Sequence, residues 1–115
     1  MVDCIFCKIA NGEIQASKVY EDENVIAFKD INPVAPVHIL IIPKKHYESV
    51  LEIDTNGSIL NKIFNAVKII AQQMNLTNEG FRLVTNTGEQ AGQTVKHIHF
   101  HLIGGRDFQW PPGWW

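Results

Sequence analysis

Three of the five histidines in this 115-residue chain stand at alternate positions, His97, His99 and His101, inside the stretch from Val95 to Ile103. Residues two apart on a β-strand point the same way, so the three imidazoles share one face and Ile98, Phe100 and Leu102 share the other. A helix would spread them over more than half its circumference, and the β-branched and aromatic residues between them favour a strand. Alternate side chains lie roughly 6.5–7 Å apart there, which brings the outer rings within reach of a group held at the central one. A lone strand histidine is ordinarily a hydrogen-bonded structural residue; three in register are not what five scattered histidines produce. Two chemistries suit such a row: a metal site, since imidazole is a common zinc ligand, or covalent catalysis by a histidine nucleophile.

Cys4 and Cys7 form a second chemical pair, Cys-x-x-Cys. A thioredoxin-type redox pair would sit between a strand and helix of a βαβ unit, and nothing near residue 7 has that pattern. A disulfide across two residues is unfavoured in the cytosol. Half a zinc site, needing two further ligands, is the better reading, with a pair of idle thiols as the alternative. A third candidate is the segment Gly88 to Thr94. Its two glycines flank a loop whose backbone N–H groups could face an anion, with side-chain donors from Gln93 and Thr94. It lacks the Lys-Ser/Thr ending of a P-loop, and an ordinary hairpin loop is the plain alternative.

Positioning these groups requires a sheet. Ile5 to Ile9 read as a short helix or turn before the Asn11-Gly12 turn signal. Val19 to Glu21 and Val25 to Phe28 read as a hairpin around Asp22, Glu23 and Asn24. Pro33 and Pro36 break the chain before Val37 to Ile42, a buried strand whose one polar residue is His38, on this pattern a satisfied core histidine. Apolar residues at 59, 60, 63, 64, 67, 70, 71 and 74 have helical spacing, so Ser58 to Met74 is the one long helix, capped by Ser58 or Asn56, with Gly80 beyond its end. Phe81 to Asn86 is the next strand, and the Gly88 to Thr94 turn leads into the histidine strand. One long helix among five strands predicts α+β architecture with an antiparallel sheet; a doubly wound parallel sheet would need several crossover helices.

At 115 residues with 45% hydrophobic composition the chain is a single domain, 1–115, ending in a Trp/Pro-rich tail from about residue 106. A net charge of -2 gives no long-range attraction to nucleic acid or anionic membrane, so neither is expected as a partner. The first residues lack a basic region followed by an apolar core, and no run of about 18 apolar residues occurs. The expectation is a soluble cytoplasmic protein.

His97 to Ile103, histidine alternating with hydrophobic residues, resembles the signature of the histidine triad family. Ile42-Pro43-Lys44-Lys45-His46 and the closing Trp110-Pro111-Pro112-Gly113 resemble its nucleotide-binding branch, and the similarity runs from Ile5 to Gly113. In that family the central histidine attacks the α-phosphorus of a nucleotide, forming a nucleotidyl-histidine intermediate that water resolves. The resemblance implies that His99 is the nucleophile, with His101, His38 (after Pro33-x-x-Pro36-x) and Thr94 beside it. His38 and His101 would orient His99 and carry positive charge against the phosphoryl oxygens; Thr94 would pass a proton to the leaving group. It further implies a base pocket from Ile5, Phe6, Ile9, Phe28 and Ile31, a ribose carboxylate at Asp30, phosphate contacts from Gly92, Gln93 and Thr94, and substrate contacts from Asn86 and Trp110. From the residues alone, the apolar ones are core and Asp30 a turn residue. Bacterial relatives with the cysteine pair close a Cys2His2 zinc site, which here would be Cys4, Cys7, His46 and His97. His97 then orients the triad strand and is no free acid or base.

The implied activity is hydrolysis of purine nucleoside phosphoramidates. The absence of a carboxylate cluster for magnesium implies that catalysis needs no divalent ion and that zinc is structural. Alternatives are the dinucleoside polyphosphate hydrolase branch, echoed in Glu89 to Lys96, and a zinc-stabilised nucleotide-binding or scaffold protein with incidental catalysis. A tail with Trp110, Trp114 and Trp115 leaves aromatic area to cover. The expected cover is a homodimer that joins through the long helix and an adjoining strand into a continuous sheet, as in the resembled family.

Overall fold

The computed structural model describes residues 4–111. Five strands form one antiparallel sheet in the order β1-β2-β3-β5-β4: β1 is Lys18–Glu21, β2 Val25–Lys29, β3 Val37–Pro43, β4 Phe81–Val84 and β5 Phe100–Gly104. Helix α1, Ile5–Ala10, lies on one face and helix α2, Ile59–Gln73, on the other. The α+β expectation is met. Among the described residues no helix is long and apolar enough to cross a membrane.

Alternation sorts the two faces. Ile39 and Ile41 of β3, with Phe100 and Leu102 of β5 and the preceding Ile98, pack beneath α2, whose buried residues Ile63, Ala66, Val67, Ile70 and Ala71 recur at the helical interval. Leu40 and Ile42 point to the opposite face, where Phe6 and Ile9 of α1 cover them together with Ile26 and Phe28. The long central strand β3 is therefore apolar on both sides, as a strand buried between two layers must be.

Local signals place the turns. Asp22 Oδ1 accepts from the N–H groups of Asn24 and Val25, both at 2.8 Å, and closes the β1-β2 hairpin. Ser58 is the N-cap of α2 but its hydroxyl makes no capping bond. Asp54 instead takes the N–H groups of Asn56 at 2.9 Å and Gly57 at 3.2 Å just ahead of the helix. The helix stops at Met74 because Asn75 turns left-handed, with φ 59°, before Gly80 is reached.

Two strands are shorter than their patterns suggest. The strand expected over Phe81 to Asn86 ends at Val84, and the histidine strand begins at Phe100, so His97 and His99 precede β5. The β3-β5 ladder runs from Val37 opposite Gly104 to Ile41 opposite Phe100. Beyond it stands Pro43, which has no N–H to donate and whose carbonyl accepts from His97 Nε2 at 2.8 Å. The approaching chain is held by other bonds: Ile98 N–H donates to Tyr47 C=O at 2.7 Å, and the Thr85 hydroxyl donates to His99 C=O at 2.9 Å. Facing still alternates there, because Ile98 enters the α2 core while His97 and His99 lie against Phe6.

Candidate active site and metal centre

The α1 face of β3 and β5 carries the histidines. His99 Nδ1 lies 2.8 Å from the His97 carbonyl, which can only accept, so the ring's proton is on Nδ1 and Nε2 keeps its lone pair. Phe6 packs edge-on against this ring at 5.0 Å between centroids, and His101 does the same at 5.0 Å on another side. Burial lowers the His99 pKa, and the His97 carbonyl and Asp30 oppose the shift. A buried imidazole that is neutral at pH 7, with one nitrogen committed and the other bare, is poised as a nucleophile.

His38 and His101 meet diagonally across β3 and β5, with His38 Nε2 at 2.9 Å from His101 Nδ1 and 3.4 Å from Asp30 Oδ2. Val34 N–H donates to His38 Nδ1 at 3.2 Å, so that nitrogen bears a lone pair and the proton of His38 is on Nε2. That proton is shared toward His101 Nδ1, which leaves His101 protonated at Nε2. The expected positive charge on these two rings is therefore not a property of the free protein. Burial lowers the His38 pKa against the pull of Asp30, and burial followed by the neighbouring His99 and His38 brings His101 down to about 4. Arrival of an anionic phosphoryl group would act in the opposite direction, since a nearby negative charge favours imidazolium.

Beside the row lies a mainly apolar cavity of about 460 Å³. Ile5, Phe6, Ile9, Phe28, Asp30 and Ile31, the six residues expected to hold a nucleoside, all line it. Ile31 forms an outer lip at 91% exposure. The sequence reading missed Ile14, Gln15, Ala16, Ser17, Lys29 and Leu40 in the same wall; the segment 14–17 carries no local pattern that marks it. Asn86 lines a smaller cavity of about 120 Å³ with His38 and His101.

Internal hydrogen bonds brace the glycine-rich loop that is expected to face an anion. Gly92 N–H donates to Glu89 C=O and Gln93 N–H to Gly88 C=O, both at 3.0 Å. The Gln93 amide donates to Glu48 C=O at 2.6 Å and Val95 C=O at 3.1 Å, and its oxygen accepts from Gly88 N–H at 2.9 Å. Gly92 and Gln93 thus brace the loop itself, and Thr94 is left exposed at its end. Trp110 is 82% exposed and lines neither cavity. Pro112, Gly113, Trp114 and Trp115 lie outside the described residues.

Cys4, Cys7, His46 and His97 converge at the far end of the row, with one ligand atom from each inside a cluster no wider than 4.8 Å. His97 Nδ1 is 3.3 Å from Cys4 Sγ and 3.5 Å from Cys7 Sγ, and His46 Nδ1 is 3.3 Å from Cys7 Sγ. Zinc bonds of about 2.3 Å to sulfur and 2.0–2.1 Å to nitrogen, at tetrahedral angles, separate S from N by about 3.5 Å. The donor set fits that ion. His97 is fully buried, and its Nε2–H is held by Pro43 C=O, the outer partner that fixes a ligating imidazole's lone pair on Nδ1. Burial, then Cys4 beside it, pushes the Cys7 thiol up to about 11. The Cys7 thiol therefore stays protonated at pH 7 without a cation and would ionise around one.

Residues 11–108 match the HIT domain family. A 14 kDa zinc-binding protein of Brassica juncea is 47% identical over 114 residues, covering 96% of this chain and 100% of that one. Among solved structures, a HIT family hydrolase from Legionella pneumophila superposes with a TM-score of 0.93 at 49% identity, covering 96% of this chain and 100% of that chain. A histidine triad nucleotide-binding protein from Candida albicans superposes with a TM-score of 0.84 at 40% identity, covering 91% of this chain and 76% of that chain.

Proposed function

The chain belongs to the HIT domain family, and from that premise we propose that it hydrolyses purine nucleoside phosphoramidates through a nucleotidyl-His99 intermediate. One observation carries the reading: His99 commits Nδ1–H to its own chain's carbonyl and keeps a bare Nε2, and Phe6, which packs against that ring, lines an apolar cavity that also includes Asp30. The base fills the cavity between Phe6 and Phe28, and Asp30 accepts from the ribose hydroxyls. His99 Nε2 then forms a bond to the α-phosphorus while the bond from phosphorus to the leaving nitrogen breaks, and the amine departs with an added proton. Thr94 is the proposed last carrier of that proton, supplied from the His38–His101 pair. In the second half a water molecule forms a bond to phosphorus as the bond to His99 Nε2 breaks, its released proton returns to the His38–His101 pair, and the nucleoside monophosphate departs. Oriented imidazoles stabilise the phosphoryl charge as it develops. One carboxylate and two imidazoles are a poor set for magnesium, and no step requires it.

Zinc, held by Cys4, Cys7, His46 and His97, serves the fold in this reading by tying α1 to the start of β5. The chain acts as a homodimer: Phe64 on α2 and Phe81 on the edge strand β4 are exposed aromatic residues on neighbouring elements, and pairing along β4 would cover both.

The decisive experiment uses His99→Ala and trapping of labelled substrate. The variant should bind AMP and lose turnover of adenosine 5'-phosphoramidate by several orders of magnitude, and wild type should carry label on His99 alone. Label on another histidine, or wild-type-like turnover in the variant, refutes the proposal. Faster cleavage of a diadenosine polyphosphate than of the phosphoramidate would move the chain to the other hydrolase branch. Binding without turnover of either would leave a nucleotide-binding protein.

A further inference from the structure

We propose that Arg106 is a positioning residue for the histidine pair, acting through the backbone of Val34. The proposal rests on the reading of His38 and His101 as the proton-carrying partners of His99.

The chain leaves β5 through Gly104 and Gly105. Gly105 adopts φ +92°, a conformation that side chains resist, and a Cβ there would stand 3.0 Å from Pro36 Cβ. This turn swings the next residue back over the 30–36 segment. Arg106 Nε donates to Val34 C=O at 3.2 Å and Nη2 donates to the same oxygen at 3.0 Å, so two arms of one rigid fork grip a single carbonyl. Its Nη1 donates to Asp107 C=O at 2.9 Å, and the guanidinium lies 4.6 Å from the centre of the Phe108 ring. The fork is thus held on three sides.

The residue it grips sets a tautomer. Val34 lies outside any strand, so no sheet ladder fixes its N–H, yet that N–H is what donates to His38 Nδ1. With Nδ1 occupied as acceptor, the His38 proton is confined to Nε2, which faces His101 Nδ1 and Asp30 Oδ2. If Val34 drifts away, Nδ1 becomes free to take a proton. His38 can then become an imidazolium against Asp30, or turn a lone pair toward the two acceptors. Either change ends the single orientation of the relay. Arg106 touches neither nucleotide nor reacting atoms in this scheme.

Long-range nitrogen–proton correlation spectra of the imidazoles, recorded on the free full-length protein at about pH 7.5, give the test. Wild type should show His38 protonated at Nε2 alone. Arg106→Ala should show a mixture or a second proton at Nδ1, Arg106→Gln, with one donor arm, an intermediate pattern, and Arg106→Lys a partial return. With adenosine 5'-phosphoramidate, Arg106→Ala should lower kcat about tenfold with KM changed less than about twofold, as expected when alignment and not binding is lost. In a His38→Ala background the same substitution should lower kcat no further. An unchanged His38 tautomer in both Arg106→Ala and Arg106→Gln overturns the proposal, as does a full tenfold loss in the His38→Ala background. The spectra contain no substrate, so a wild type that fails to cleave phosphoramidates would sink the proposed function and leave the tautomer result to stand or fall by itself.

Discussion

Replacing Cys4 and Cys7, the proposed zinc donors at the N-terminal turn, should undock α1 and open one wall of the proposed nucleoside cavity. Holding the 6 residues of α1 in place costs about 6–12 kcal/mol of backbone entropy, at about 1–2 kcal/mol for each. Burial of Phe6 and Ile9 returns about 3–6 kcal/mol. Helical bonds such as Lys8 N–H to Cys4 C=O at 3.1 Å and Asn11 N–H to Cys7 C=O at 3.0 Å add about 1 kcal/mol each. The opposing sides nearly cancel, so the tie from Cys4 and Cys7 to His46 and His97 decides whether the helix stays docked. The α2 core contains no α1 residue, so the sheet should remain folded in Cys4→Ser/Cys7→Ser, with a lower melting temperature. Amides of residues 5–12 should exchange hydrogen far faster than in metal-replete wild type. AMP affinity should fall at least about tenfold, or ~1.4 kcal/mol, because Ile5, Phe6 and Ile9 leave the cavity and Phe6 leaves the His99 ring. Hydrogen exchange by mass spectrometry and AMP titration measure the two effects. Equal protection of α1 with and without the donors would refute the energy balance; lost protection with unchanged AMP affinity would refute the link to the cavity.

Four further outcomes follow from the geometry. Gly104→Ala places a Cβ 2.7 Å from Leu76 Cδ2, and Leu76 is buried, so overpacking should destabilise the fold by about 1–3 kcal/mol in denaturant titration; no loss would mean that Leu76 has room to move. His101 has a folded pKa of about 4 against an ordinary 6.5, so the unfolded chain binds more protons between those values. Its contribution to stability is complete above about pH 6.5 and is lost as pH falls toward 4; the fall in unfolding free energy from about pH 7.5 to pH 5 should be smaller in His101→Gln than in wild type. Asp30→Asn should weaken AMP binding about tenfold by removing a charged acceptor, and equal affinity would take Asp30 out of ribose recognition. Sedimentation at micromolar concentration should give a dimer that Phe81→Asp weakens, and a wild-type monomer would end the pairing scheme.

Much of this protein is written in local periodicity. The alternation at His97, His99 and His101 put three imidazoles on one face, and the 3.6-residue spacing of Ile63, Val67 and Ile70 marked α2 and its buried side, because side-chain direction depends only on neighbouring backbone angles. The Cys4–Cys7 pair announced half a metal site, but its completion by His46 and His97 and the nucleoside role of Phe6 or Phe28 could be named only by resemblance to a known family. Tertiary structure decided the rest. Pairing of β3 with β5, beneath α1, brings residues 4 and 97 to 3.3 Å across 93 positions of chain, and no local pattern encodes such a meeting. It also divides the row: His97 turns to the thiols, while His99 stays free at Nε2 and His101 joins His38. Burial, a property of the assembled layers, lowers the pKa of His38 and of His101, a shift that the sequence pattern alone does not reveal. The Pro43 carbonyl stops the ladder short of His97, and the left-handed Gly105 brings Arg106 onto Val34. Direction along a strand is a short-range property; register, desolvation and contact between distant segments exist only once the sheet has closed around its core.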